Sequence, residues 1–161
     1  MAGFLLNCFW LFVPVFIWNA IFYKKLPEYY QPAIWDNIPK VLDVTENGLR
    51  YLSFFIPILL KIGFSTSTQR IGLALYLVGL LVYFASWVVQ MNPDSCALSK
   101  SLGFRLAPAI TTIIWLVGIG LIGRESWVSS FNIQAFYFLI IIAFVSVHTY
   151  HSYTVFRKTK A

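Results

Sequence analysis

Residues 71–91, IGLALYLVGLLVYFASWVVQM, form a run without a charged side chain. The run is about the length an α-helix needs to cross the ~30 Å hydrocarbon core of a bilayer. Its small and polar positions are not scattered. Gly72, Tyr76, Gly79, Tyr83, Ser86 and Gln90 recur at steps of three and four, which sets all six on one helix face. Lipid would not select such a face. It is expected to meet other helices or to line a cavity, with the rest of the chain packed around it.

The same pattern predicts four more spans. Residues 3–23 end in Trp18, Phe22 and Tyr23, suited to an aromatic belt, and are followed by Lys24 and Lys25 as an anchor. Pro14 lies inside this span and predicts a kink. The connection 24–39 contains Pro27, Pro32 and Pro39 with Tyr29, Tyr30 and Trp35, and is expected to lie in the headgroup region. A helix over 40–64 starts at Pro39. Its first half is polar, with Asp43, Glu46, Arg50 and Ser53 on one face. The apolar remainder, 51–64, covers roughly 21 Å at 1.5 Å per residue. To cross, it must draw Arg50 and Lys61 toward the two interfaces, where long side chains snorkel.

After residues 71–91, Asn92, Pro93 and Asp94 predict a turn within a connection that runs to 106. The fourth span, 107–123, carries Ala109, Thr112, Gly120 and Gly123 near one face, small residues of the kind that let membrane helices approach closely. The fifth, 133–150, carries Gln134, Tyr137, Ile141, Phe144 and His148, with His151 next in step. A basic tail, 151–161, follows. The predicted fold is all-α: a single-domain, polytopic integral membrane bundle of five transmembrane helices.

Charge sets the orientation. With five crossings, nine basic residues fall on one side, and Lys61, Arg70 and Arg124 on the other. With four crossings the split is seven to five. The positive-inside rule favours five, with the N-terminus outside and the C-terminus cytoplasmic. The first span has no positive n-region or cleavage site before Lys24, so it is expected to stay as a mature helix.

Composition supports the membrane assignment. Of 161 residues, 59% are hydrophobic, 19% aromatic and only 11% charged, against roughly a quarter charged in soluble domains. A net charge of +6 raises nucleic acid as a partner, but the basic residues sit at helix ends and form no backbone-tracking patch. The expected partners are membrane lipids and a homo-oligomeric copy or another membrane protein, with no nucleic acid. Cys8 and Cys96 lie on opposite sides in this topology and show no C-x-x-C spacing, so neither a disulfide nor a thiol redox motif is expected.

Depth along the helices points to the candidate chemistry. Asn19, Glu46, Arg50, Gln90, Asp94, His148 and His151 all come near the cytosolic leaflet, and polar groups concentrated there mark a default site. His148 is the candidate base of a membrane enzyme. Arg50 is its anion anchor, with forked donors suited to phosphate or carboxylate, and Asp94 its third catalytic candidate. Tyr76, Tyr83, Gln90, Asn19 and Glu46 are candidate ligand-binding residues. His148 and His151, spaced i and i+3, are candidate metal ligands with Asp94 or Glu46 completing the shell. Both lie on one helix, which disfavours bis-histidine haem, and no cofactor is specified. The plainer reading makes the histidines interhelical donors, Glu46 and Arg50 an i,i+4 ion pair, and the glycine–tyrosine face a packing seam. Nucleotide-binding loops, H-E-x-x-H and nucleophile elbows are absent from the sequence.

Three functions remain open. The protein could bind a lipid or small apolar ligand, or serve as a subunit of a membrane assembly. It could be a membrane enzyme acting on a lipid-borne substrate. It could be a transporter or oligomeric channel, although no filter motif is visible.

Overall fold

The computed structural model describes residues 6–26, 39–92, 101–123, 125–127 and 132–159. Within them lie five α-helices: α1 (Val13–Phe22), α2 (Lys40–Phe55), α3 (Ser67–Met91), α4 (Leu102–Ile122) and α5 (Ile133–Thr159). Three of these, α3, α4 and α5, are long and apolar enough to cross a membrane. The described fold is helical apart from a two-residue pairing of β1 (Leu60–Lys61) with β2 (Glu125–Ser126).

Prolines shape the first two helices. Pro14 does not kink a long helix; it stands in the first turn of α1, preceded by a 3-10 turn over Cys8–Phe12. The Val13 N–H donates to the Trp10 carbonyl in that tighter pattern, so the missing N–H of Pro14 leaves no helical bond broken. Pro39 is the N-cap of α2. The stretch 40–64, expected as one helix, is α-helical only to Phe55. Pro57 lies in a 3-10 turn, Ile56–Leu59, after which the backbone extends into β1. There Lys61 pairs with Glu125 and bridges to Asn7, while its ammonium lies 4.6 Å from the Trp127 ring centroid.

Two helix starts are set by capping side chains. Thr66 and Gln69 form a reciprocal capping box at α3. Ser101 accepts from the Phe104 N–H, so α4 begins at Leu102, earlier than the expected 107. At its other end, the Gly120 carbonyl accepts from Gln134 Nε2 at 2.8 Å, which supplies a donor to one of the carbonyls that a helix C-terminus leaves unpaired. The α5 helix continues to Thr159, so most of the expected tail is helical.

The face of α3 predicted from spacing is buried along its whole length: Gly72, Tyr76, Gly79, Tyr83, Ser86 and Gln90. Its glycine half is a seam with α4. A Cβ on Gly79 would stand 2.5 Å from the Trp115 backbone nitrogen, and one on Gly118 would stand 2.5 Å from that of Tyr76. The two backbones touch because neither helix has a side chain there.

Farther along the seam, Pro108 lies inside α4 and cannot donate to the Phe104 carbonyl. Gln90 Nε2 from α3 donates to that carbonyl instead, at 2.6 Å. Gln90 is fully buried and satisfies the group that the proline leaves open.

Close backbone approach is greatest between α3 and α4, followed by α4 with α5 and α2 with α5. The α1 helix and the 3-10 turn before it are held by side chains of the neighbouring helices. Tyr76 Oη donates to the Leu11 carbonyl at 2.7 Å, and Tyr83 Oη donates to Asn19 Oδ1 at 2.9 Å. Trp18 stacks on Phe84 at 4.3 Å between centroids. Phe12 meets Phe54 and Trp115 at 5.1 and 5.5 Å. Held at this distance by large rings, α1 leaves space between itself and the other helices.

Candidate functional site

The centre of the polar cluster is Glu46, which is 1% exposed. A carboxylate removed from water needs donors, and three side chains supply them. Arg50, one turn along α2, donates to Oε1. His148 Nδ1 meets the same oxygen at 2.9 Å. His151 Nδ1 meets Oε2. An ionised carboxylate only accepts, so each imidazole donates its Nδ1–H. Asn47 extends the network on α2, accepting from Arg50 Nη1 at 2.9 Å and donating to Asp43 Oδ1 at 3.0 Å.

The two histidines differ in setting. His151 is buried with Glu46. His148 is partly exposed, lies stacked against Phe144 at 5.4 Å, and lines a cavity of about 460 Å³. A neutral imidazole that donates through Nδ1 carries its basic lone pair on Nε2. Glu46 therefore selects the tautomer of a histidine at the cavity wall.

The cavity lies among all five helices and shows a chemical gradient. Val15, Phe16, Phe54, Trp115 and Phe144 line it toward the middle of the bundle, Asn19, Arg50, Tyr83 and His148 come next, and Arg105 and Ser152 follow toward the end marked by Lys25 and Met91. At 1.5 Å per residue, Arg105 and Trp115 are about 15 Å apart along α4, and Phe144 and Ser152 about 12 Å apart along α5.

Of the residues singled out from sequence, the cavity brings together Asn19, Arg50, Tyr83 and His148, with Glu46 and His151 bound behind Arg50 and His148. Tyr76 and Gln90 do not line it. Their polar atoms bond the Leu11 and Phe104 carbonyls. Asp94 lies outside the described residues. For the metal reading, both Nδ1 atoms face oxygens of one carboxylate. Among the described residues, no group of three or more His, Cys, Asp or Glu side chains is placed to hold a metal ion.

Arg105 and Ser152 are cavity residues that the sequence reading passed over. Each falls just beyond an expected span, and each becomes a helical wall residue because α4 starts early and α5 ends late. The N-cap serine at 101 is the signal that could have found the first. Trp87, Trp115 and Thr112 also line the cavity, at positions that periodicity alone assigns to core. Comparison with family models, curated proteins and solved structures gives no match for this chain.

Proposed function

We propose that this is a small integral membrane protein with five crossings that binds a lipid or other small apolar molecule in the cavity between α1 and the other helices. The observation that carries the reading is the cavity itself. Its volume of about 460 Å³ falls within the usual range for small-molecule sites. Its walls are mostly aromatic and aliphatic, with a few polar groups toward one end. In this reading α1 and α2 cross with the three long helices, the N-terminus is outside, and the polar end of the cavity faces the cytosolic leaflet.

Protein purified in mild detergent should retain a stoichiometric apolar ligand, detected by native mass spectrometry. Ala109→Phe, which adds a ring at a buried wall position, should lose it while remaining helical by circular dichroism. An unliganded wild-type protein that also takes up no lipid would reject the proposal. For the topology, cysteines introduced at Ser67 and Thr159 should react with impermeant maleimide from outside and inside respectively; labelling from the same side would refute it.

A second reading, a membrane enzyme working on a lipid-borne substrate, is favoured by one observation. His148 lines the cavity while its Nδ1 is held by a buried carboxylate, the arrangement that orients a general base. Here His148 Nε2 takes the proton and Arg50 anchors an anionic group. His148→Gln should then abolish turnover and leave ligand retention intact. Loss of both together would favour binding alone.

A further inference from the structure

We infer that the cavity's ligand is a single-chain amphiphile with an anionic oxyacid head, carboxylate or phosphate, bound with its head toward Arg50 and Arg105. The inference rests on the cavity-binding reading above and names the chemistry that it would select.

The polar end of the cavity is rich in donors. Arg50 has five N–H groups; the bonds to Asn47 and Glu46 use two of them. Asn19 accepts from Tyr83 through Oδ1, which leaves its amide NH₂ as the group to offer a ligand. Ser152 adds a hydroxyl, and Arg105 a guanidinium that also lies 4.6 Å from the Phe156 ring centroid. Among the described lining residues there is no Asp or Glu. Glu46 neutralises charge from behind Arg50 without entering the lining. Planar guanidinium groups prefer oxyanions, which they can bind through two parallel hydrogen bonds.

Size restricts the body of the ligand. If each heavy-atom group takes about the ~30 Å³ that a water molecule occupies in the liquid, the cavity holds roughly fifteen non-hydrogen atoms. That suits one chain of medium length with a compact head. A diacyl phospholipid has several times as many atoms and would not fit wholly inside. The gradient also sets the direction, since an anion placed against Phe54, Trp115 and Phe144 would give up its hydration for a single neutral donor, the Trp115 indole N–H, in place of guanidinium groups.

The full chain, in nanodiscs of zwitterionic lipid, can be titrated with dodecanoate brominated near its methyl end, with tryptophan quenching as the readout. Unlabelled dodecanoate, dodecyl phosphate, dodecanol and dodecyltrimethylammonium then compete. Both anions should bind about tenfold or more tightly than dodecanol, and the cation should bind most weakly. The order of the two anions tells which oxyacid is preferred. Arg105→Gln should weaken both anions by several-fold more than it weakens dodecanol, narrowing the preference. Arg50 braces Glu46 and Arg105 packs on Phe156, so the wild-type comparison decides the matter if the variant does not fold. Equal affinity for anion and alcohol overturns the head assignment and leaves the cavity reading standing. Absence of quenching or competition by any amphiphile overturns both.

Discussion

Gln90 can be tested both as a structural residue and as a candidate ligand contact. Its side chain is fully buried and donates from Nε2 to the Phe104 carbonyl at 2.6 Å. That carbonyl is available because residue 108 is proline. Gln90→Ala removes the donor and leaves the carbonyl unsatisfied. Such an orphan costs about 1–3 kcal/mol in general, while interhelical polar contacts in membrane proteins average about 0.6 and reach about 1.7 kcal/mol. A loss of about 1–2 kcal/mol is therefore expected. Pro108→Ala supplies an N–H at the position that bonds residue 104 in a regular helix, so in that background Gln90→Ala should cost about 1 kcal/mol less. The cycle of four proteins is measured by reversible unfolding in mixed micelles, where couplings above about 0.5 kcal/mol are meaningful. Equal cost in both backgrounds would refute the rescue of the proline-freed carbonyl. Unchanged stability with lost ligand affinity would return Gln90 to the binding site.

Two further substitutions test the packing and the charge cluster. Gly79→Ala puts a methyl 2.5 Å from the Trp115 backbone nitrogen and should destabilise by about 1–3 kcal/mol. Gly103→Ala, with nothing within 4 Å, should be neutral or stabilising by up to about 1 kcal/mol. Equal effects in unfolding titrations would show that the α3–α4 seam is not tight. Glu46→Gln leaves Arg50 and two imidazoles around a neutral amide and should cost about 1–3 kcal/mol. Adding Arg50→Met should recover part of that loss, whereas simple additivity in the same assay would indicate that the ion pair is not coupled.

Periodicity made the α3 face legible because one helix presents one face to its neighbours, and the spacing of glycine, tyrosine and glutamine records that choice directly. The polar cluster was legible for a related reason. Glu46, Arg50, His148 and His151 are rare, expensive groups in an apolar chain, and depth counted along helices brings them level. What spacing could not give was the partner of each group. Gln90 has the same sequence signature whether it faces a ligand or a proline-freed carbonyl, and only the juxtaposition with Pro108 separates the two. Helix ends were hidden where charge was taken as the boundary. Arg105 and Ser152 sit outside the apolar runs, yet capping at Ser101 and continuation of α5 place them on helices. The bend after Phe55 was also missed, since Pro57 can kink a helix or end it, and the pairing of Leu60 and Lys61 with Glu125 and Ser126 lies far away in sequence.

Glu46 also shows why a structural role and a site role need not compete here. Its two oxygens take His148 and His151, one turn apart on α5. If α5 slipped by one turn, ~5.4 Å, Phe144 and Val147 or Ser152 and Val155 would replace them, and the buried carboxylate would lose both imidazole donors. A buried polar pair is a poor source of stability but can fix a register. The register fixed in this way sets His148 beside Arg50 at the cavity wall and brings Ser152 to the same end as Arg105. The apolar seam between α3 and α4 could tolerate small changes in the height of α5, whereas a set of donors converging on one end of a cavity could not. The cost of burying Glu46 is thus offset where positional accuracy matters, at the polar end of the cavity.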